Sequence, residues 1–210
     1  MSADLNPDRS DLAAREAINA NKEKECAVCK DLRVLETTLQ CGHKFCHLCI
    51  KGVFLTNRPC PLCRTPIVGD DLDRSEQLDP KMRFKRADGS EYDELPPLMV
   101  FKEEEPDDDV QFIKCVRGRF YWLYKSNTED SWWRYEGRVE ALLESEFQKD
   151  SKKTVETFIC GVKYYCNFTE MSQESEAGNR RTIKRVGEAE FDSLLQEQKI
   201  SGVAGVLIPK

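Results

Sequence analysis

Seven cysteines and one histidine between Cys26 and Cys63 fall in four pairs: Cys26/Cys29, Cys41/His43, Cys46/Cys49 and Cys60/Cys63. Three pairs are C-x-x-C and one is C-x-H. A C-x-x-C turn aims two thiolates at one ion, and tetrahedral Zn²⁺ takes four ligands, so eight ligands serve two Zn²⁺ ions. No other stretch of the 210 residues carries so specific a chemical signal.

Little surrounds these ligands to hold them. Leu32, Val34, Leu35 and Leu39 lie in the loop between the second and third ligands, and Phe45 to Leu55 has the apolar spacing of a short helix. So small a core leaves the metal to stabilise the fold. Structural zinc is worth about 10–16 kcal/mol in small peptides, comparable with the stability of a whole domain. His47 stands beside Cys46, but eight ligands are complete without it, and it reads as a surface histidine.

The chain is acidic overall, with a net charge of −6. A protein that binds nucleic acid by charge alone would be basic, so no sequence-specific nucleic-acid partner is expected. No apolar run approaches the roughly 18 residues that cross a membrane, and no membrane partner is expected. The opening MSADLNPDRS lacks the basic-then-apolar layout of a secretory signal. A reducing compartment is therefore expected, the cytosol or the nucleus, where clustered cysteines favour metal over disulfides. Cys115, Cys160 and Cys166 read as small buried hydrophobes.

Along the chain, residues 1–25 form a lead-in with a short helix capped by Ser10. Residues 26–64 are the zinc region. Residues 65–109 are acidic and proline-containing, ending in EEEPDDD, and read as a linker. Residues 110–186 turn aromatic and β-branched, which favours strands. Within them RVEALLESEFQK places Val139, Leu142, Leu143 and Phe147 on one helical face. TVETFIC and VKYYCNF read as a hairpin about Gly161, MSQESEAGN as a turn, and RRTIKRV as a basic strand. Residues 187–210 read as a second helix and an apolar strand. The fold class is α+β.

The order C-x2-C-x11-C-x-H-x2-C-x2-C-x10-C-x2-C resembles the C3HC4 RING family of ubiquitin ligases. That resemblance implies a cross-brace. Cys26, Cys29, Cys46 and Cys49 would take one zinc, and Cys41, His43, Cys60 and Cys63 the other. It also implies a docking surface for a ubiquitin-charged conjugating enzyme at Val28, Pro61 and Leu62, with Arg64 contacting both that enzyme and ubiquitin. A RING has no nucleophile and catalyses by holding the thioester in a reactive pose. Where many RINGs carry a tryptophan on the central helix, Phe54 or Leu55 stands here.

The second half resembles the WWE domain, an antiparallel half-barrel sheet with one helix. FYWLYKSNTEDSWWRYEG, the hairpin, MSQ and RRTIKR carry the match. A RING followed by a WWE and ending in KISGVAGVLIP resembles the poly(ADP-ribose)-directed ubiquitin ligases of the Iduna type. In that family the WWE holds iso-ADP-ribose. The resemblance implies contacts from Tyr124 and Tyr164 to adenine and ribose, from Gln173 by hydrogen bonding and from Arg181 to phosphate, with Trp133 a pocket wall. Lys51 matches a RING lysine that touches the ligand. Ser201 replaces a family lysine, and Lys199 is displaced from it. The implied partners are a charged conjugating enzyme, poly(ADP-ribosyl)ated proteins and the polymerases that modify them. The same face could instead be core and a solvated edge, and the whole could be a poly(ADP-ribose)-binding adaptor with a purely structural RING. R-x-x-x-x-G, a tankyrase-binding spacing in the family, occurs only at Arg64–Gly69, where bulky Ile67 and Val68 argue against that use.

Overall fold

The computed structural model describes residues 23–72, 78–85, 90–91 and 119–208. The lead-in helix from Ser10, Cys115 and the strand tendency over 110–118 lie outside them. The chain divides into two compact units, one on the cysteine-rich region and one on residues 77–84 with most of the C-terminal half. Among the described residues no helix is long and apolar enough to cross a membrane.

In the first unit β1 (Glu36–Thr38) pairs antiparallel with β2 (Lys44–Cys46). Gly42, at φ 82°, makes the turn between them, and α1 (His47–Leu55) follows. Val34, Leu35, Leu39, Phe45 and Ile50 are buried, and little else is available to form a core. His47 is not the surface histidine the sequence suggested. It is buried, with Nδ1 3.1 Å from Thr37 Oγ1. A 3₁₀ turn (Gly69–Leu72) brings the Asp71 carboxylate to accept from the N–H groups of Gln40 and Val68 at 3.0 and 3.2 Å.

Among the described residues the C-terminal half forms an eight-stranded sheet with two helices. Its strands are β3 (Phe120–Lys125), β4 (Trp132–Arg134), β5 (Thr154–Ile159), β6 (Val162–Asn167), β7 (Ser172–Ser175), β8 (Arg180–Gly187), β9 (Ile200–Val203) and β10 (Val206–Leu207). Their order is β10-β9-β4-β3-β8-β7-β6-β5. The sheet is mostly antiparallel, with β4 and β9 parallel and a register shift between Trp132 and Trp133. The C-terminal strands β9 and β10 are thus part of this sheet. MSQESEAGN is only half a turn, because Ser172–Ser175 is a strand with Ser172, Gln173 and Ser175 buried.

Helix α2 (Gly137–Lys149) buries Val139 and Leu143, while Leu142, placed on the same face by the sequence, is 37% exposed. Trp122, also buried, packs edge-on to Phe147 at 5.5 Å. Its Nε1 donates to Glu144 Oε2 at 2.9 Å, and Arg185 grips the same carboxylate at 2.7 and 2.5 Å. The opposite face holds Tyr121, Leu123, Val186 and Ile200 with Phe191 and Leu194 of α3 (Glu188–Gln196).

Arg134 is fully buried, and each of its three guanidinium nitrogens has a hydrogen-bond partner. Its Nε and Nη2 donate to Glu140 at 3.0 and 2.5 Å, and Nη1 to the carbonyls of Pro80 and Met82 at 3.0 and 2.8 Å. Arg119 donates to the carbonyls of Lys81 and Met82. Phe84 lies where a Cβ on residue 137 would stand only 2.3 Å from it, so Gly137 is required there. Part of the stretch that reads as linker is thus fastened to the second unit.

Breaking a buried ion pair on one side costs about 3–5 kcal/mol because the other charge is stranded. Arg134→Met should lower stability by about that amount in urea unfolding of the full chain, and more than Arg180→Met, which cuts only an exposed pair. Glu144 supplies a pH test. Burial raises its pKa, but hydrogen bonds from Arg185, Gln148 and Trp122 outweigh this and hold it below the usual range. A depressed carboxylate contributes stability above its unfolded pKa near about 4.3, and the contribution is lost as pH falls through the folded value. The stability gap between wild type and Glu144→Gln should therefore narrow as the pH is lowered below about 4.

Candidate functional site

The first unit gathers its ligands as two quartets, Cys26, Cys29, Cys46 and Cys49, and Cys41, His43, Cys60 and Cys63. In each, the ligand atoms lie within 4.8 Å of one another. A tetrahedron with Zn–S about 2.3 Å has S···S edges of about 3.8 Å. Cys29 and Cys46 sulfurs stand 3.8 Å apart. His43 turns Nδ1 toward Cys41 and Cys60 at 3.4 and 3.7 Å, as the shorter Zn–N bond requires. Two zinc ions fit, and the pairing crosses: first pair with third, second with fourth. Backbone N–H groups of Val34 and Cys46 approach the sulfurs of Cys46 and Cys26 at 3.2 and 3.5 Å. Thr65 Oγ1, 3.1 Å from Cys63, helps lower that thiol to about 6, toward the thiolate a metal takes.

The zinc turns carry an exposed apolar pair. Val28 and Leu62 are 41% and 55% exposed, and Pro61, next to Leu62 in sequence, is exposed as well. Arg64 is exposed too, held at φ 64° with its N–H donating to the Cys60 carbonyl at 2.8 Å. Residues buried for packing would not be left in water, so ordinary core duty for Val28 and Leu62 is set aside. Lys51 is half-buried on α1, and Leu55 is exposed at its end.

In the second unit strand register does the gathering. Residues directly opposite across a ladder share a face, as do alternate residues along a strand. Trp133 faces Tyr124, and Tyr124 faces Ile183. Two residues from Ile183 stands Arg181, opposite Gln173, which is opposite Cys166. Tyr164 is two residues from Cys166. Trp133, Tyr124, Arg181, Gln173 and Tyr164 therefore occupy one face. Gln173 is buried and the other four are partly exposed. The Arg181 guanidinium lies 5.6 Å from the Tyr124 ring centroid and has no ion pair or hydrogen bond among the described residues.

Ser201 is buried, and its Oγ donates to Ser131 Oγ at 2.5 Å. Lys199 pairs with Glu197 at 2.6 Å. Neither brings an uncommitted cation to the face. The sequence reading missed Tyr135, whose ring packs on Tyr124 at 4.9 Å and whose hydroxyl donates to Gln173 Oε1. Period-two alternation with Trp133 was the available signal. Cys166 is buried as foreseen, whereas Cys160 sits partly exposed in the β5–β6 turn at φ 52°.

Chelation supplies the direct check on the zinc centre. Stripping metal from the full chain should release two equivalents of zinc and collapse the amide dispersion of residues 26–63. The thermal transition of the second unit should remain. Cys60→Ser should bind one equivalent less.

Residues 22–69 match the C3HC4-type zinc finger, or RING finger, and residues 120–185 match the WWE domain. E3 ubiquitin-protein ligase RNF146-A of Bos taurus is 32% identical over 163 residues, which cover 77% of this chain and 38% of that protein. E3 ubiquitin-protein ligase rnf146 of Xenopus tropicalis is 32% identical over 77% of this chain and 42% of its own length. RNF146 of Homo sapiens is 31% identical over 77% and 37%. The chain spans about two fifths of the length of these relatives. The chain therefore carries a match to the RING finger followed by a match to the WWE domain, and over these it is similar to the RNF146 ubiquitin-protein ligases.

Proposed function

We propose that this chain is a RING-type E3 ubiquitin transferase directed to poly(ADP-ribosyl)ated proteins by its WWE domain. The observation that carries the ligand half is the Arg181 guanidinium, uncommitted among the described residues and set over Tyr124 beside a buried Gln173. An ADP-ribose unit asks for a stacking surface, hydrogen-bonding groups for ribose and a cation for phosphate. Tyr124, Tyr164 and Trp133 supply the first, Gln173 the second and Arg181 the third.

The transfer half rests on Val28, Pro61 and Leu62, exposed apolar side chains on zinc-held turns, and on Arg64 directly after the last ligand. These residues dock a ubiquitin-charged conjugating enzyme, and the chemistry is positional. Substrates are proteins bearing poly(ADP-ribose), including the polymerases that make it, in the cytosol or nucleus. Ligand binding also raises the transfer rate, with Lys51 of α1 taking part. That requires the ligand to prefer the active arrangement.

A reconstituted ubiquitination assay titrated with iso-ADP-ribose tests all of this. Transfer should need a charged conjugating enzyme and should rise with ligand. Arg181→Ala should weaken ligand binding about tenfold or more, the scale of a charge-assisted hydrogen bond, and leave basal transfer in place. Arg64→Ala should cut transfer and leave ligand affinity alone. Equal rates with and without ligand would remove the activation, and no transfer under any condition would leave only a binding adaptor.

A further inference from the structure

A buried glutamine is an ambiguous recognition group, since one end of its amide donates and the other accepts. Which end meets a ligand depends on what holds the other. Gln173 is 3% exposed, and its Oε1 accepts from the hydroxyl of Tyr135, which is 1% exposed. Tyr135 is itself fixed. Its N–H donates to the Trp122 carbonyl at 3.0 Å and its ring lies against Tyr124.

The Cys166 thiol stands opposite Gln173 in the β6–β7 ladder. The phenol has a single proton. It is given to Gln173. Burial keeps both protons in place: it raises the Cys166 thiol to about 12 and holds the Tyr135 hydroxyl well above its usual range. Donation therefore runs from the phenol to the amide carbonyl. Gln173 Nε2 has no partner among the described residues.

We infer that Tyr135 is a positioning residue that sets the polarity of the Gln173 contact. With Oε1 held inward, Gln173 presents only N–H donors, so the face selects a ligand acceptor at that point, an oxygen or an unprotonated ring nitrogen of the ADP-ribose unit. Without the phenol proton the amide can turn over and present Oε1, which repels the same acceptor. This inference rests on the reading of the WWE face as an ADP-ribose site.

The test is a double-mutant cycle on the full chain, with iso-ADP-ribose as the titrant and thermal melting measured in parallel. Tyr135→Phe keeps the ring and removes only the hydroxyl. It should weaken binding about fivefold, the scale of one neutral hydrogen bond, and the Gln173 side-chain amide protons should exchange faster with solvent. On a Gln173→Met background, Tyr135→Phe should have no further effect, because Tyr135 acts only through the amide. Wild-type affinity in Tyr135→Phe, or an equal loss on both backgrounds, overturns the inference and leaves the ligand site standing. Should Tyr135→Phe fail to fold, Gln173→Met compared with the double variant decides: equal affinity supports the inference and a further loss overturns it. If the wild-type chain does not bind iso-ADP-ribose, the site reading falls and this inference with it.

Discussion

A β-strand turns alternate side chains to opposite faces, and a slip of one residue exchanges the two sets. The proposed ligand face depends on that alternation being held across β4, β3, β8, β7 and β6 at once. A slip of one residue in β8 would set Arg180 or Thr182 opposite Gln173 in place of Arg181 and would pull Ile183 out of register with Tyr124. The devices that prevent it are internal and polar. The Arg134–Glu140 pair ties β4 to α2, and Glu140 also accepts from the Trp122 N–H at 3.0 Å, fixing β3 to the same helix. Glu144 and Arg185 do the same for β8. At the far edge, a Cβ on residue 202 would meet Val206 O at 2.0 Å and the Trp133 ring at 2.7 Å, so Gly202 lets β9 pass close beneath Trp133.

The first unit solves the same positioning problem with a different force. It has too few apolar residues to define Val28, Leu62 and Arg64 in space, and each lies within three residues of a zinc ligand. Coordination geometry replaces packing there. Apolar side chains can then be left exposed without loss of order, because the turns that carry them are not held by hydrophobic burial. Asp71 extends this beyond the last cysteine by bonding the Val68 and Gln40 N–H groups.

The two halves differ in how far they could be read from residues alone. Zinc ligands are legible because the chemistry demands rare residue types at short, fixed spacings. The helices at Gly137–Lys149 and Glu188–Gln196 are legible from their period. Strand β7 is not, since SQES has no apolar alternation and becomes a strand only because partners on both sides take up its hydrogen bonds. The fastening of Pro80–Phe84 is equally silent: it rests on carbonyl groups, which every residue has, meeting two arginines about forty to fifty residues away. His47 was misjudged for a related reason. Its role is set by Thr37 on the neighbouring strand and not by the cysteine beside it.

Arginine partners show why Arg181 stands apart from its neighbours in composition. In the described part of the second unit, Arg134, Arg138, Arg180 and Arg185 each engage a carboxylate, and Arg119 engages carbonyl groups. Lys163, Lys184 and Lys199 are paired with carboxylates too. A partly enclosed guanidinium without such a partner forgoes hydrogen bonds that its neighbours make, and a fold gains nothing in stability from leaving it so. A basic strand kept only to discourage edge pairing would need no aromatic ring under one particular arginine and no buried amide opposite it. On the proposed reading an anion completes the arrangement, and a phosphate flanked by groups that stack and donate is the anion whose remaining parts would match Tyr124 and Gln173.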